Sequence, residues 1–133
     1  MTEHTVVNLK EIEDLAPKHD LQGLEMHYAT GALDLEKSGL SYQRYEPGAR
    51  TPFGHSHGEQ EEVYVVLGGS ARLKLDDEIV DLKQWDAVRV PPATTRCFEG
   101  GPDGLDLLAI GAPAGSATGA AADADMQPGW WSD

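Results

Sequence analysis

The segment GARTPFGHSHGEQEEVYVVLGG, residues 48–69, decides the fold. His55 and His57 stand two apart, and on a strand that spacing turns both imidazoles to one face. A short polar turn, 58–61, comes next, and Glu62 opens the apolar run EVYVVL (62–67). An antiparallel hairpin over these residues brings the Glu62 carboxylate beside the two rings. Two imidazoles and one carboxylate converging inside a barrel form a site suited to Fe(II), Mn(II), Zn(II) or Ni(II). A His-x-His pair in an exposed loop looks the same in isolation. The framing sets this one apart: a Glu46-Pro47-Gly48 turn before it, a glutamate and a strand after it.

Outward from this segment the chain is a series of short runs broken by turn residues. LEMHYAT (24–30) and LSYQRYE (40–46) are rich in strand formers. Gly68-Gly69 reads as the end of EVYVVL. SARLKL (70–75) alternates as a half-buried strand does, and Asp76-Asp77 turns it into EIVDL (78–82). DAVRV (86–90) closes on Pro91-Pro92, and GGPDG separates TRCFE (95–99) from LDLLAIG (105–111). Short strands at this spacing, with no long helix between them, predict an antiparallel sandwich or barrel.

The ends differ from the middle. Val6-Val7 suggests a short strand. Asn8 followed by Glu11 reads as a helix start, with Leu9, Ile12 and Leu15 on one face and Pro17 at the end. Residues 1–20 are therefore expected to cover the barrel at 21–111. The tail, 112–133, begins Ala/Gly-rich; its stretch 112–125 is expected to be a loose linker. It closes on MQPGWWSD, where Trp130 and Trp131 are expected to dock on the barrel or on a second subunit, because aromatic surface is costly to leave in water.

The bulk properties exclude several classes. A chain of 133 residues favours one domain with one core. A formal net charge of −13 argues against nucleic acid and anionic membranes as partners. The single cysteine, Cys97, rules out an internal disulfide framework and C-x-x-C chemistry. The first residues lack a basic, apolar leader, and no apolar run is long enough to span a bilayer, so the cytoplasm is the expected location. No G-x-S-x-G elbow, Walker-type loop, dinucleotide fingerprint or H-E-x-x-H helix is present.

Taken together, these residues resemble the cupin superfamily. Its first motif carries a glycine, a His-x-His pair, a glutamate and a closing glycine, matched here by Gly48, His55, His57, Glu62 and Gly69. Glu61 with Gly68 also fits the spacing, but from Glu62 the strand continues unbroken. Its second motif is resembled by Trp85-Asp86 followed by VRVPPATTRCFEG, with Ala93 where glycine is common. The resemblance implies an all-β, double-stranded jelly-roll barrel, here with a short N-terminal helix and an extended C-terminal tail. It is much less specific for activity, because cupins include dioxygenases, isomerases, decarboxylases, storage proteins and sugar-binding regulatory domains.

Arg96 stands where the family's second-motif histidine would be. A guanidinium is permanently protonated and cannot ligate a cation. Three readings follow. His55, His57 and Glu62 hold the metal and Arg96 anchors an anionic substrate group; or the metal is lost and Arg96 pairs with Glu62 in the interior; or Arg96 swings out to the surface. Alternation also points Tyr64 and Phe98 inward, as substrate contacts or as core. His27 is a further candidate for the missing imidazole. The resulting expectation is a small cupin that binds a divalent metal (Fe, Mn, Zn or Ni) and a small polar or anionic molecule. The alternative is a metal-free, non-catalytic binding barrel. Exposed edge strands make a homodimer the expected assembly.

Overall fold

The computed structural model describes residues 3–114 and 123–133. Among the described residues eight strands form: β1 (Leu24–Tyr28), β2 (Gly39–Tyr45), β3 (Phe53–His57), β4 (Glu61–Leu75), β5 (Glu78–Lys83), β6 (Ala87–Val90), β7 (Arg96–Ala112) and β8 (Ala124–Pro128). All pairings between them are antiparallel. The expected β-barrel is therefore observed, with two differences in how its strands divide.

The first difference is that the glycine pairs bend strands instead of ending them. β4 runs through Gly68-Gly69, and β7 runs through GGPDG. The two pair along nearly their whole length, with register shifts between Val66 and Gly68 and between Gly69 and Ala71. Gly69 has φ +71°, and a Cβ there would overlap the Gly104 carbonyl. Only glycine allows that backbone conformation and that close approach together. The bent β4–β7 ribbon then serves two five-stranded faces. One runs β1-β2-β7-β4-β6 through the late half of β7 and the early half of β4. The other runs β8-β3-β7-β4-β5 through the opposite halves. This is a jelly roll.

Between the two faces lies the core, including Leu24, Met26, Val66, Leu73, Phe98 and Leu107. Full burial of a side chain of this size stabilises by about 1.5–3 kcal/mol. Alternation along β4 and β7 is what sends these residues inward.

The second difference is at the ends. The N-terminal segment forms no α-helix and no strand at Val6-Val7. It makes two 3-10 turns, Leu9–Glu11 and Pro17–His19. Asn8 does cap the first, accepting from Lys10 N at 2.9 Å. Ile12 is extended, so Leu9, Ile12 and Leu15 cannot share a helical face. Instead Asp14 bridges to His27, and Leu15 N donates to Met26 O, so the segment lies along the β1 edge.

The expected loose tail, 112–125, lies partly outside the described residues. Beyond them the chain is ordered as β8, paired along all of β3. Trp131 is buried on the same barrel with the Arg50 guanidinium 4.1 Å above its ring, and Asp133 pairs with Arg50 at 2.7 Å. Trp130 packs against Gly54, with the Lys74 ammonium 4.4 Å from its ring. No helix among the described residues is long and apolar enough to cross a membrane.

Candidate metal centre

β3 and the start of β4 bring His55, His57 and Glu62 together. One donor atom from each lies within 4.8 Å of the others. His57 Nε2 is 3.1 Å and His55 Nε2 is 3.4 Å from the same Glu62 oxygen, Oε1. The imidazoles stand edge to face, with centroids 5.0 Å apart. The His57 side chain is 2% exposed, Glu62 13% and His55 25%, so His55 sits nearest the opening.

The pKa directions follow from this geometry. Burial alone would raise the Glu62 carboxyl, but hydrogen bonds from His55, His57 and Tyr64, with the His55 charge, hold it well below its ordinary 4.5. Burial lowers His55, assisted by the charges of Arg96 and His57 and opposed by Glu62. Burial also opposes protonation of His57, but Glu62 and Asp123 outweigh it and raise that ring. Tyr64 is pushed far up, first by burial and then by Glu62, so its hydroxyl remains a donor.

Tyr64 donates that proton to Glu62 Oε1 at 2.6 Å, and its ring meets Phe98 at 4.7 Å between centroids. Both line a cavity of about 120 Å³ shared with the triad. Arg96 opens β7 directly opposite His55 in register, and it is 0% exposed. Its Nη1 donates to the His55 carbonyl at 3.3 Å and its Nη2 to the Pro91 carbonyl at 3.1 Å. Its Nε is buried and has no hydrogen-bond partner among the described residues.

That placement corrects two of the three readings of Arg96. It does not swing outward, because β7 is a buried strand at that point and register aims the side chain with His55. It forms no ion pair with Glu62 among the described residues; its two terminal nitrogens are taken by backbone carbonyls, and Glu62 is taken by His55, His57 and Tyr64. His27 is not part of the site either. It lies in β1, its Nδ1 donating to Ile12 O at 2.6 Å, its Nε2 3.0 Å from Glu25 Oε1, and its ring stacked on Tyr42.

Residues without a sequence signal also enter. Met126 of β8 and Gln60 line the cavity, and Gln60 donates to Pro113 O at 2.9 Å. Asp123 approaches His57 from behind, its Oδ1 3.1 Å from Nδ1. These two residues are 66 positions apart, so no local pattern could have joined them.

The donor set fits a first-row divalent ion. Bonds of about 2.1 Å at tetrahedral or octahedral angles put neighbouring ligand atoms about 3.0–3.4 Å apart. The two His–Glu separations, 3.1 and 3.4 Å, already fall there.

Residues 41–107 match the family model described as Cupin domain. A cupin protein from Bacteroides fragilis is 25% identical, with a TM-score of 0.70 over 90% of this chain and 92% of that one. A sugar phosphate isomerase of the cupin superfamily from Silicibacter pomeroyi is 19% identical, with a TM-score of 0.70 over 92% of each chain. An oxalate decarboxylase variant from B. subtilis is 17% identical, with a TM-score of 0.76 over 94% of this chain and 33% of that one. The last two are likenesses of fold alone. No curated protein matches the chain significantly by sequence. With both motifs falling inside a family match that spans half its length, the chain belongs to the cupin family.

Proposed function

We propose that this cupin holds one divalent first-row metal ion on His55, His57 and Glu62 and binds a small anionic molecule beside it. The observation that supports this most is the convergence of two imidazoles and one carboxylate, with donor atoms all within 4.8 Å and both His–Glu separations at 3.1–3.4 Å, on the wall of a cavity.

Each residue has a distinct task. Glu62 stays ionised because Tyr64 donates to it and, once the ion is bound, the metal charge takes the place of the imidazole donors. Burial and the Arg96 charge favour neutral His55, the form that can ligate. Such an ion supplies a Lewis acid that polarises an oxygen of the bound molecule.

The class of ligand follows from charge and size. A divalent ion, the Glu62 carboxylate and the Arg96 guanidinium leave about two positive charges in the wall, which favours an anion. Arg96 acts here through its field, since the chain covers it completely. A cavity of about 120 Å³ is somewhat smaller than the ~150 Å³ void that takes up the six carbons of benzene, so the enclosed part of the ligand has roughly five or six non-hydrogen atoms. A small carboxylic acid meets both conditions.

Metal analysis of protein purified without a polyhistidine tag tests the proposal. Near-stoichiometric metal, lost in the His55→Ala, His57→Ala double variant, is the expected result. Protein that stays metal-free after incubation with Fe(II), Mn(II), Zn(II) and Ni(II) overturns it. The metal-free binding barrel has one observation in its favour: Glu62 Oε1 is already satisfied by His55, His57 and Tyr64. Small-acid binding that persists unchanged after chelation would select that reading.

A further inference from the structure

We infer that Asp123, delivered by the C-terminal strand, is a positioning residue that fixes His57 as a metal ligand. The inference rests on the metal reading above and adds to it a residue from outside both motifs.

The placement has a simple cause. β8 pairs with β3 so that Ala124 lies opposite His57 and Met126 opposite His55. Asp123, one residue earlier, therefore reaches the turn that joins β3 to β4, the turn between the two histidines and Glu62. Gly58 N donates to Asp123 O at 3.2 Å. The carboxylate then divides its work. Oδ2 accepts from the amides of Glu59 and Gln60 at 2.5 and 3.1 Å, while Oδ1 lies 3.1 Å from His57 Nδ1.

A histidine that ligates through Nε2 must carry its proton on Nδ1, and that proton needs an acceptor to hold the ring in place. His57 Nε2 is the atom that faces Glu62, and among the described residues Asp123 is the acceptor at Nδ1. Among the described residues His55 has no corresponding carboxylate at its Nδ1, and it is the more exposed ring. The site is thus asymmetric: His57 is held on both nitrogens, and His55 is the looser ligand. The tail contributes in a second way, because Met126 of the same strand lines the cavity. Docking of β8 and assembly of the metal centre are parts of one arrangement.

Zn(II) titration of the untagged full chain, in competition with a chromophoric chelator, tests this on the parent, Asp123→Ala and Asp123→Asn. Removal of an outer carboxylate of this kind weakens metal binding by about 10- to 100-fold, and that loss is expected for Asp123→Ala. Asp123→Asn has a single acceptor oxygen, for which the Glu59 and Gln60 amides compete with His57 Nδ1, so it is expected to recover little of that loss. In the Zn(II)-loaded parent, the His57 Nδ1 proton should be visible by ¹⁵N-edited NMR and exchange slowly; in Asp123→Ala it should exchange rapidly, with the His55 signals unmoved. Parent protein that binds no Zn(II) overturns the metal reading itself. Parent binding with Asp123→Ala within twofold of it overturns the positioning role alone. Weakened affinity with an unchanged His57 Nδ1 proton leaves Asp123 as a cap on the turn, which also overturns the inference.

Discussion

Replacing Tyr64 by Phe removes a single oxygen from the most enclosed side of the site. That hydroxyl donates to Glu62 Oε1 at 2.6 Å, inside the range of charge-assisted O–H···O⁻ bonds. Tyr64 is buried and the Glu62 side chain is only 13% exposed, so solvent replaces little of what is lost. A hydrogen bond to a buried charge contributes about 1.5–3 kcal/mol. We expect Tyr64→Phe to destabilise chelator-treated protein by about 2 kcal/mol near neutral pH. The Glu62 carboxyl lies below its ordinary 4.5 when folded, so its stabilisation is present above that value and is lost as pH falls toward the folded one. Both proteins then lose stability in parallel below about pH 4.5. The variant starts lower, so its acid unfolding begins at higher pH. Urea unfolding followed from neutral to acid pH measures both effects. In a Glu62→Gln background the cost should drop toward the ~1 kcal/mol of a neutral hydrogen bond. A deficit below about 0.5 kcal/mol, an unmoved acid midpoint, or the same cost in the Glu62→Gln background would refute the reasoning.

Further outcomes are expected elsewhere. A Cβ at Gly54 would come within 2.5 and 2.7 Å of Trp130 ring carbons; Gly54→Ala should cost about 1–3 kcal/mol by overpacking and speed amide exchange in β8, and unchanged exchange would count against the docking of that ring. Trp131→Ala removes a buried ring held under Arg50 at 4.1 Å; the loss of about 3–5 kcal/mol should appear in hydrogen exchange at β8 before it appears in β4 or β7, and uniform exchange across the barrel would contradict this. Arg96→Met removes a buried positive charge facing the triad; divalent-metal affinity should rise even as the His55 and Pro91 carbonyls lose their donor, and equal or weaker Zn(II) binding would refute the electrostatic role given to Arg96.

Much of this was legible where chemistry and local period coincide. His55, His57 and Glu62 could be placed because strand alternation is local and a short turn fixes the hairpin. The inward direction of Tyr64 and Phe98 followed from the same alternation, whereas that of Arg96 was left open. Less visible was whether a glycine pair ends a strand or bends it. Gly68-Gly69 and GGPDG bend theirs, because β4 and β7 pair on both sides of the break and the distant partner supplies the continuity. β8 was missed because ADMQP has no β-branched residue and follows an Ala/Gly-rich tract; its strand character comes from the free edge of β3. The N-terminal periodicity suggested a helix, but the hydrogen bonds that Asp14 and Leu15 make to β1 favour extended chain over helical turns. The carbonyl partners of Arg96 and the approach of Asp123 to His57 are tertiary facts, set by which backbones the barrel brings together.

X-ray diffraction from crystals of the untagged chain loaded with Zn(II) or Mn(II), recorded at the metal absorption edge, would locate the ion directly. One anomalous peak should stand about 2.0–2.2 Å from His55 Nε2, His57 Nε2 and a Glu62 carboxylate oxygen. A barrel with no peak between these three side chains, or with both imidazoles turned to bulk solvent, would contradict it.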